Sequence, residues 1–195
     1  MHLSPVTLHG RRVRLEPLSL DHLDALVEIA GDQDIWRFMT GDCSTREGMR
    51  EFVETAIAGQ RSGSVLPFAT VNIETGRPVG STRFGNIVME HKRVEIGWTW
   101  IAPAWQRTGI NTEAKFMMMR YAFEELGCHR VEFKTNALNV RSRTAILRIG
   151  AREEGTLRSH MVNADGTLRD TVYFSVIAPE WPRVKARLIE RMEYK

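Results

Sequence analysis

The sequence predicts a mixed α/β fold in a single domain, built around one twisted, mostly antiparallel sheet of about seven strands flanked by helices. Two observations carry this reading. Between Leu66 and Ile101 the chain is a series of β-rich runs broken only by short turn signals, and a strand, loop, helix, strand, helix passage follows. No repeat, low-complexity tract or linker interrupts the 195 residues, so 1–195 reads as one domain, and 43% hydrophobic residues suffice for one sizeable core.

Alternation in "RRVRLEPL" puts Val13 and Leu15 on one side of a first strand, and "SLDHLDALVEIA" then carries Leu23, Leu26, Val27 and Ala30 at helical spacing. A second helix is expected over 45–60, with Met49, Phe52, Val53, Ala56 and Ile57 as its buried stripe and "RSGS" as its stop. The "IWRFM" between these helices is irregular and apolar.

"LPFATVNI", "PVGSTRFGNIVM" and "RVEIGWTWI" form an expected meander around the turns "ETGR" and "EHK". "NTEAKFMMMRYAFEEL" is then a helix apolar on most sides, with Glu113, Arg120 and Glu124 on one narrow face and Gly127 as its stop. "RVEFKT" is a strand, and "RSRTAILRIG" a short helix ended by Gly150. "EGTLRSHMV" and "LRDTVYFSVI" flank the hairpin signal "NADG", and "PEWPRVKARLIERM" is a closing helix.

A formal charge of +3 from 27 basic and 24 acidic side chains, interspersed along the chain, gives little ground for nucleic acid. Cys43 and Cys128 stand far apart with no metal-ligand spacing around them, so no zinc site or disulfide framework is indicated and a reducing, cytoplasmic setting fits. The six histidines, at 2, 9, 22, 91, 129 and 160, are scattered, and none stands out as a base. "MHLSPVTLHGRRVRL" does not read as a signal peptide, and no apolar run approaches ~20 residues, so a soluble, unprocessed chain away from membranes is expected.

The chemistry begins at "AWQRTGINTEAK". A glycine opening a helix lets backbone N–H groups turn toward one point, and helix N-termini attract anions, so a phosphate is the candidate ligand. Taken alone the stretch is weak, because such glycines are commonly structural. The dinucleotide fingerprint and the P-loop are both absent.

Context adds to it. "VEIGWTWIAPAWQRTGINTEAKFMMMRYAFEELGCHRVEFKTNALNVRSRTAILRIGAREEG" resembles the GNAT superfamily of acetyl-CoA-dependent N-acyltransferases, giving that family's strand, pyrophosphate loop, long helix, strand and Asn-x-x-Ser helix in order. The likeness runs over nearly the whole chain. A later "DG" turn, Asp170 and "EW" are usual in the branch named for acetylating ribosomal-protein N-termini.

The resemblance implies that backbone N–H groups of Arg107, Thr108, Gly109, Ile110 and Asn111 hold the coenzyme A pyrophosphate. Gln106 matches the loop's opening residue, while Asn111 stands where glycine or alanine is usual. A β-bulge in the preceding strand is implied to free a backbone N–H around Trp100, Ile101 and Ala102 for the thioester oxygen. Glu95 matches a glutamate used as general base in the histone-acetylating branch; its plain alternative is an exposed strand carboxylate. Glu132 reads as solvated or salt-bridged. Asn139 and Ser142 match the Asn-x-x-Ser that faces the coenzyme arm, with Ser142 as the nearest proton donor for the leaving thiolate. Helix capping is their plain alternative. Many relatives carry a tyrosine acid where this chain has Ile146.

Trp98 and Trp100 face away from Glu95 unless the bulge changes the register. Trp36 and Phe38 lie where relatives build the acceptor wall. The implied cosubstrate is acetyl-CoA, with no metal, and a homodimer is compatible with the resemblance. The acceptor expected is a primary amine, foremost the α-amino group of a protein or peptide, attacked directly in a ternary complex. The alternatives are a small amine (polyamine, amino acid or drug), or a non-catalytic acyl-CoA sensor.

Overall fold

The computed structural model describes residues 4–163 and 165–193. Eight strands form one sheet: β1 (Leu8–His9), β2 (Val13–Pro17), β3 (Leu66–Asn72), β4 (Pro78–Val88), β5 (Arg93–Ile101), β6 (Arg130–Asn136), β7 (Arg152–Val162) and β8 (Leu168–Ile177). Their order is β1-β2-β3-β4-β5-β6-β8-β7, and every neighbouring pair is antiparallel except β5 and β6. The sheet gains β1 over the sequence expectation, because two residues are too short to show a period. The "NADG" turn includes residue 164, which lies outside the described residues; Asn163 N donates to Thr167 O beside it.

Helices α1 (Leu23–Ile29) and α2 (Arg46–Arg61) cover one face of the sheet. α2 begins where Thr45 accepts the Gly48 N–H, a side-chain N-cap, and it buries Met49, Val53 and Ala56. The other face carries α3 (Ile110–Arg120), α4 (Val140–Arg148) and α5 (Trp181–Glu193). α3 runs into a π-helical turn over Tyr121–Glu125, and the Met117–Met119 run is wholly core. Phe133, Phe174 and Val176 face these helices, while Ala69, Val71 and Trp100 face α1 and α2.

Two features position everything else. β5 and β6 pair only at Arg93/Arg130, Val94/Val131 and Glu95/Glu132, then separate. Just beyond the split, β5 bulges: β4 advances from Ser81 to Arg83 while β5 goes from Trp100 to Gly97, with Trp98 in the left-handed region at φ +49°.

From the α3 side the bulge is held by Lys115. Its Nζ donates to Thr82 Oγ1 at 3.0 Å and Thr99 Oγ1 at 2.5 Å. Lys115 is buried and no carboxylate pairs with it among the described residues; burial pushes its pKa down to about 7. Glu113, two residues earlier, accepts the N–H groups of Arg11, Arg12 and Val13 at 2.8, 2.8 and 3.1 Å, tying the β1–β2 turn to α3. Of the expected polar face, Glu113 is thus a buried anchor, while Glu124 is exposed.

The sign of the lysine effect is fixed. The unfolded chain takes up the proton below about pH 10.4, whereas the folded chain takes it up only below about 7, so stability falls as pH drops through that window and levels off beneath it. Relative to Lys115→Met, the native protein should gain roughly 1.4 kcal/mol per pH unit on going from pH ~7 toward ~10. Urea unfolding of both proteins at several pH values measures this; parallel curves would show a lysine protonated in the fold.

Candidate functional site

The loop after β5 is shaped to bring backbone donors together. Arg107 and Gly109 both sit in the left-handed region, at φ +64° and +91°, and Gly109 is the N-cap of α3. The first N–H groups of any helix lack intrahelical partners, and here they open toward one side. Thr108 Oγ1 donates to Trp105 O at 2.6 Å, closing the preceding 3₁₀ turn. Ile110 is core and offers only its backbone.

Arg12 comes from a position 96 residues earlier to donate Nη1 to Thr108 O at 3.2 Å, and a Cβ on Gly109 would meet that nitrogen at 2.5 Å. Sequence reasoning missed Arg12, because only the Glu113 anchor brings it here. Gln106 is a brace: Nε2 donates to Ile101 O at 2.9 Å, and Oε1 accepts from Arg141 Nη1 of α4 at 3.2 Å. Asn111 is half-buried, with an Oδ1 that has no hydrogen-bond partner among the described residues.

Not all three candidate amides at the end of β5 are open. Ala102 N donates to Val79 O at 2.9 Å, so the expectation of a free N–H there is corrected. Antiparallel pairing alternates direction, which gives Trp100 the same inward phase and directs the Ile101 N–H toward the split. Ile101 is therefore the amide facing the opening.

Glu95 is 2% exposed, so the exposed-carboxylate alternative fails. Its Oε2 receives Asn86 Nδ2 and lies 3.1 Å from Lys134 Nζ, while Oε1 lies against Gly97, where a Cβ would come to 2.7 Å. Asn86 reaches it from a bulge in β4, at φ +44°. Glu132 is salt-bridged, to Arg93 at 3.0 Å and Arg130 at 2.7 Å.

Strict alternation would place both tryptophans opposite Glu95, but the extra residue turns Gly97 and Trp98 successively to the α1/α2 face and leaves Trp100 on it too. Trp100 packs against Trp36, ring centres 5.2 Å apart, and Trp36 Nε1 donates to Ala30 O at 2.9 Å. Trp36 is thus 5% exposed core, which corrects its placement on an acceptor wall. Phe38 is half-buried beneath Arg37, 5.3 Å from its ring centre.

Asn139 is the N-cap of α4, its Oδ1 accepting the Ser142 N–H at 2.9 Å, so the capping alternative describes that oxygen. Ser142 is half-buried in the first turn, and Ile146 is core. The other landmarks have structural contacts: Asp170 Oδ1 accepts the Ser159 N–H at 2.7 Å, and Trp181 Nε1 donates to Glu124 at 2.8 Å. Among the described residues no cluster of metal-ligating side chains occurs and no helix is long and apolar enough to cross a membrane. A surface hollow of about 550 Å³ among His9, Arg14, Glu16 and His22 lies at the β1–β2 edge and contains none of these residues.

Comparison with known proteins agrees with this fold. The family model for the acetyltransferase (GNAT) domain matches residues 12–152. A Bacillus subtilis protein named "Putative ribosomal N-acetyltransferase YdaF" is 31% identical over 175 residues, spanning 86% of this chain and 90% of that one. The crystal structure of a GCN5-related N-acetyltransferase from Brucella melitensis superposes with a TM-score of 0.89 at 32% identity, over 96% of this chain and 86% of the other. Mycobacterium smegmatis RimJ, solved in complex with CoA-disulfide, does so with a TM-score of 0.82 at 27% identity, over 96% and 95%.

Two substitutions test the geometry. Gly109→Val forces a β-branched residue into left-handed backbone beside Arg12, and should weaken coenzyme A binding by at least ~1–3 kcal/mol in calorimetry, the scale of lost buried hydrogen bonds. Unchanged affinity in a folded variant would remove the loop assignment. Asn139→Ala should cost ~0.5–2 kcal/mol of stability, largely restored by Asn139→Ser, as a lost N-cap requires. Chemical denaturation reads both.

Proposed function

The chain belongs to the GNAT acetyltransferase family and is an N-acetyltransferase, and from that premise we propose that it moves the acetyl group of acetyl-CoA to the α-amino group of a protein or peptide, by direct attack in a ternary complex. The observation that carries this is one bulge with the phosphate-type loop at one end of its strand and the buried Glu95 at the other. The coenzyme seen in RimJ supports the donor, and the ribosomal name of the Bacillus relative supports a protein acceptor.

Acetyl-CoA, when bound, supplies an activated acyl thioester. The 107–111 loop, with Arg12 over it, fits a pyrophosphate because its two left-handed residues turn successive donors to one side. The Ile101 N–H is directed to where a carbonyl oxygen in the split would lie. Glu95 takes a proton on Oε1, directly or through water, since Oε2 is held by Asn86 and Lys134. Ser142, half-buried in the first turn of α4, is the proposed proton donor for the leaving thiolate. A cysteine-linked intermediate is disfavoured, because burial pushes the thiols of Cys43 and Cys128 up to about 11.

The α-amine suits a carboxylate already engaged on one oxygen. With a pKa near ~7.7–8.0, it costs roughly 1 to 1.4 kcal/mol to deprotonate at pH 7, against about 4.6 for lysine.

Incubation with acetyl-CoA and a mixture of peptides and metabolites, read by mass spectrometry, tests the acceptor. Acetyl on peptide N-termini is the expected result, and acetyl only on polyamines, amino acids or drugs would replace the reading. Glu95→Gln should lower kcat/KM about 10²-fold, the lower end of the ~10²–10⁴ range for a general base, with partial recovery at higher pH as the amine becomes neutral. Full activity across about pH 6 to 9 would make the carboxylate structural and the enzyme one that positions a pre-deprotonated amine.

A further inference from the structure

On the α1/α2 face, beside the bulge, two arginines are buried with guanidinium donors that have no hydrogen-bond partner among the described residues. Arg83 of β4 is 5% exposed, its Nε and Nη2 have no partner, and it belongs to no ion pair among the described residues. Its guanidinium carbon lies 4.5 Å from the centre of the Phe52 ring of α2 and 5.3 Å from that of Trp98 in the bulge. Aromatic rings attract a guanidinium but leave its in-plane N–H donors unsatisfied. Arg169 of β8 is 7% exposed, with Nε also lacking a partner, and it interacts electrostatically with Glu95.

Trp98 joins the two sides of the opening. Lys134 Nζ, from β6, lies 5.8 Å from the same ring while pairing with Glu95 at 3.1 Å. Lys134 and Arg169 thus both interact with Glu95, while Arg83 and Lys134 share the Trp98 ring. As a core filler Arg83 is a poor choice, since a buried cation without a partner is costly; burial pushes it down to about 10. A fixed planar fork with open donors is the arrangement that grips carboxylates. The phosphate-type loop cannot account for it, because that loop opens α3 on the opposite face of the sheet.

We propose that this face binds its acceptor through a carboxylate held by Arg83, with Arg169 adding attraction, so that the enzyme selects amines that carry an acidic group close to the nitrogen. The inference rests on the proposed reading of Glu95, on this same face, as the base that receives the acceptor amine's proton. The carboxylate comes either from an acidic side chain near a peptide N-terminus or from the free carboxyl group of an amino acid.

Tetrapeptide amides beginning Ser-Asp and Ser-Asn, together with alanine and alaninamide, separate the cases. Acetylation is followed by mass spectrometry, and binding by calorimetry with coenzyme A present. Within at least one of the pairs the carboxylate-bearing member should be preferred about tenfold or more in kcat/KM and in affinity, and the pair that shows it names the source. Arg83→Gln should collapse that preference toward unity by raising KM, with coenzyme A affinity unchanged. Equal use of both members of both pairs by the native protein, which needs no variant to fold, overturns the proposal. Carboxylate-dependent binding without any acetylation would keep the anion site and remove the acyltransfer reading, and absence of both would overturn the anion site.

Discussion

The molecule depends on where β5 stops pairing with β6. Three residue pairs hold the two strands together, and past Glu95 and Glu132 the groups of β5 on that side have no neighbouring strand while its other edge stays paired with β4. Buried backbone donors without partners are costly, so a sheet opened in its centre must have something to place in the gap. The bulge at Trp98 adapts the strand to this break, and Lys115, Thr82 and Thr99 secure it from beneath. Because α3 carries both Lys115 and the glycine-opened N-terminus, strand and loop are held by one rigid element.

The electrostatics of the opening follow from the same break. Residues on β4, β5, β6 and β8 that would be ordinary cross-strand neighbours in a continuous sheet instead surround it from both sides. A cation-rich surrounding disfavours a second positive charge nearby, which favours the neutral, nucleophilic form of an incoming amine. Glu95 supplies the opposing negative charge, and its contacts with Asn86 and Lys134 fix which of its oxygens faces the bulge.

Much of this was legible in the chain. β-rich runs and turn residues marked β3, β4 and β5, and of the expected α2 stripe Met49, Val53 and Ala56 are buried. Gly109 was legible as the residue that opens α3, whereas a glycine there does not by itself specify a ligand. What escaped were consequences of contacts distant in sequence. Arg12 reaches the loop only because Glu113 binds the turn before β2, and Trp36 looks available until Trp100 is turned toward it by the bulge. Arg83 read as one more strand residue, since alternation shows which face it takes but not that its donors find no partner. Asn139 was ambiguous because a coenzyme contact and a helix cap require the same short polar side chain.

The split also divides the chain in time. β1 to β5 pair in chain order, each beside its predecessor, so the first 101 residues can complete their own ladder from local hairpins and one longer excursion through α1 and α2. β6, β8 and β7 form a second group, joined to the first by a short parallel seam that needs the α3 crossover. Parallel, non-local pairings close late because chain entropy must be lost before they form. A chain emerging from its N-terminus therefore meets this order naturally, and the opening proposed for the ligands is also the joint between two groups of strands.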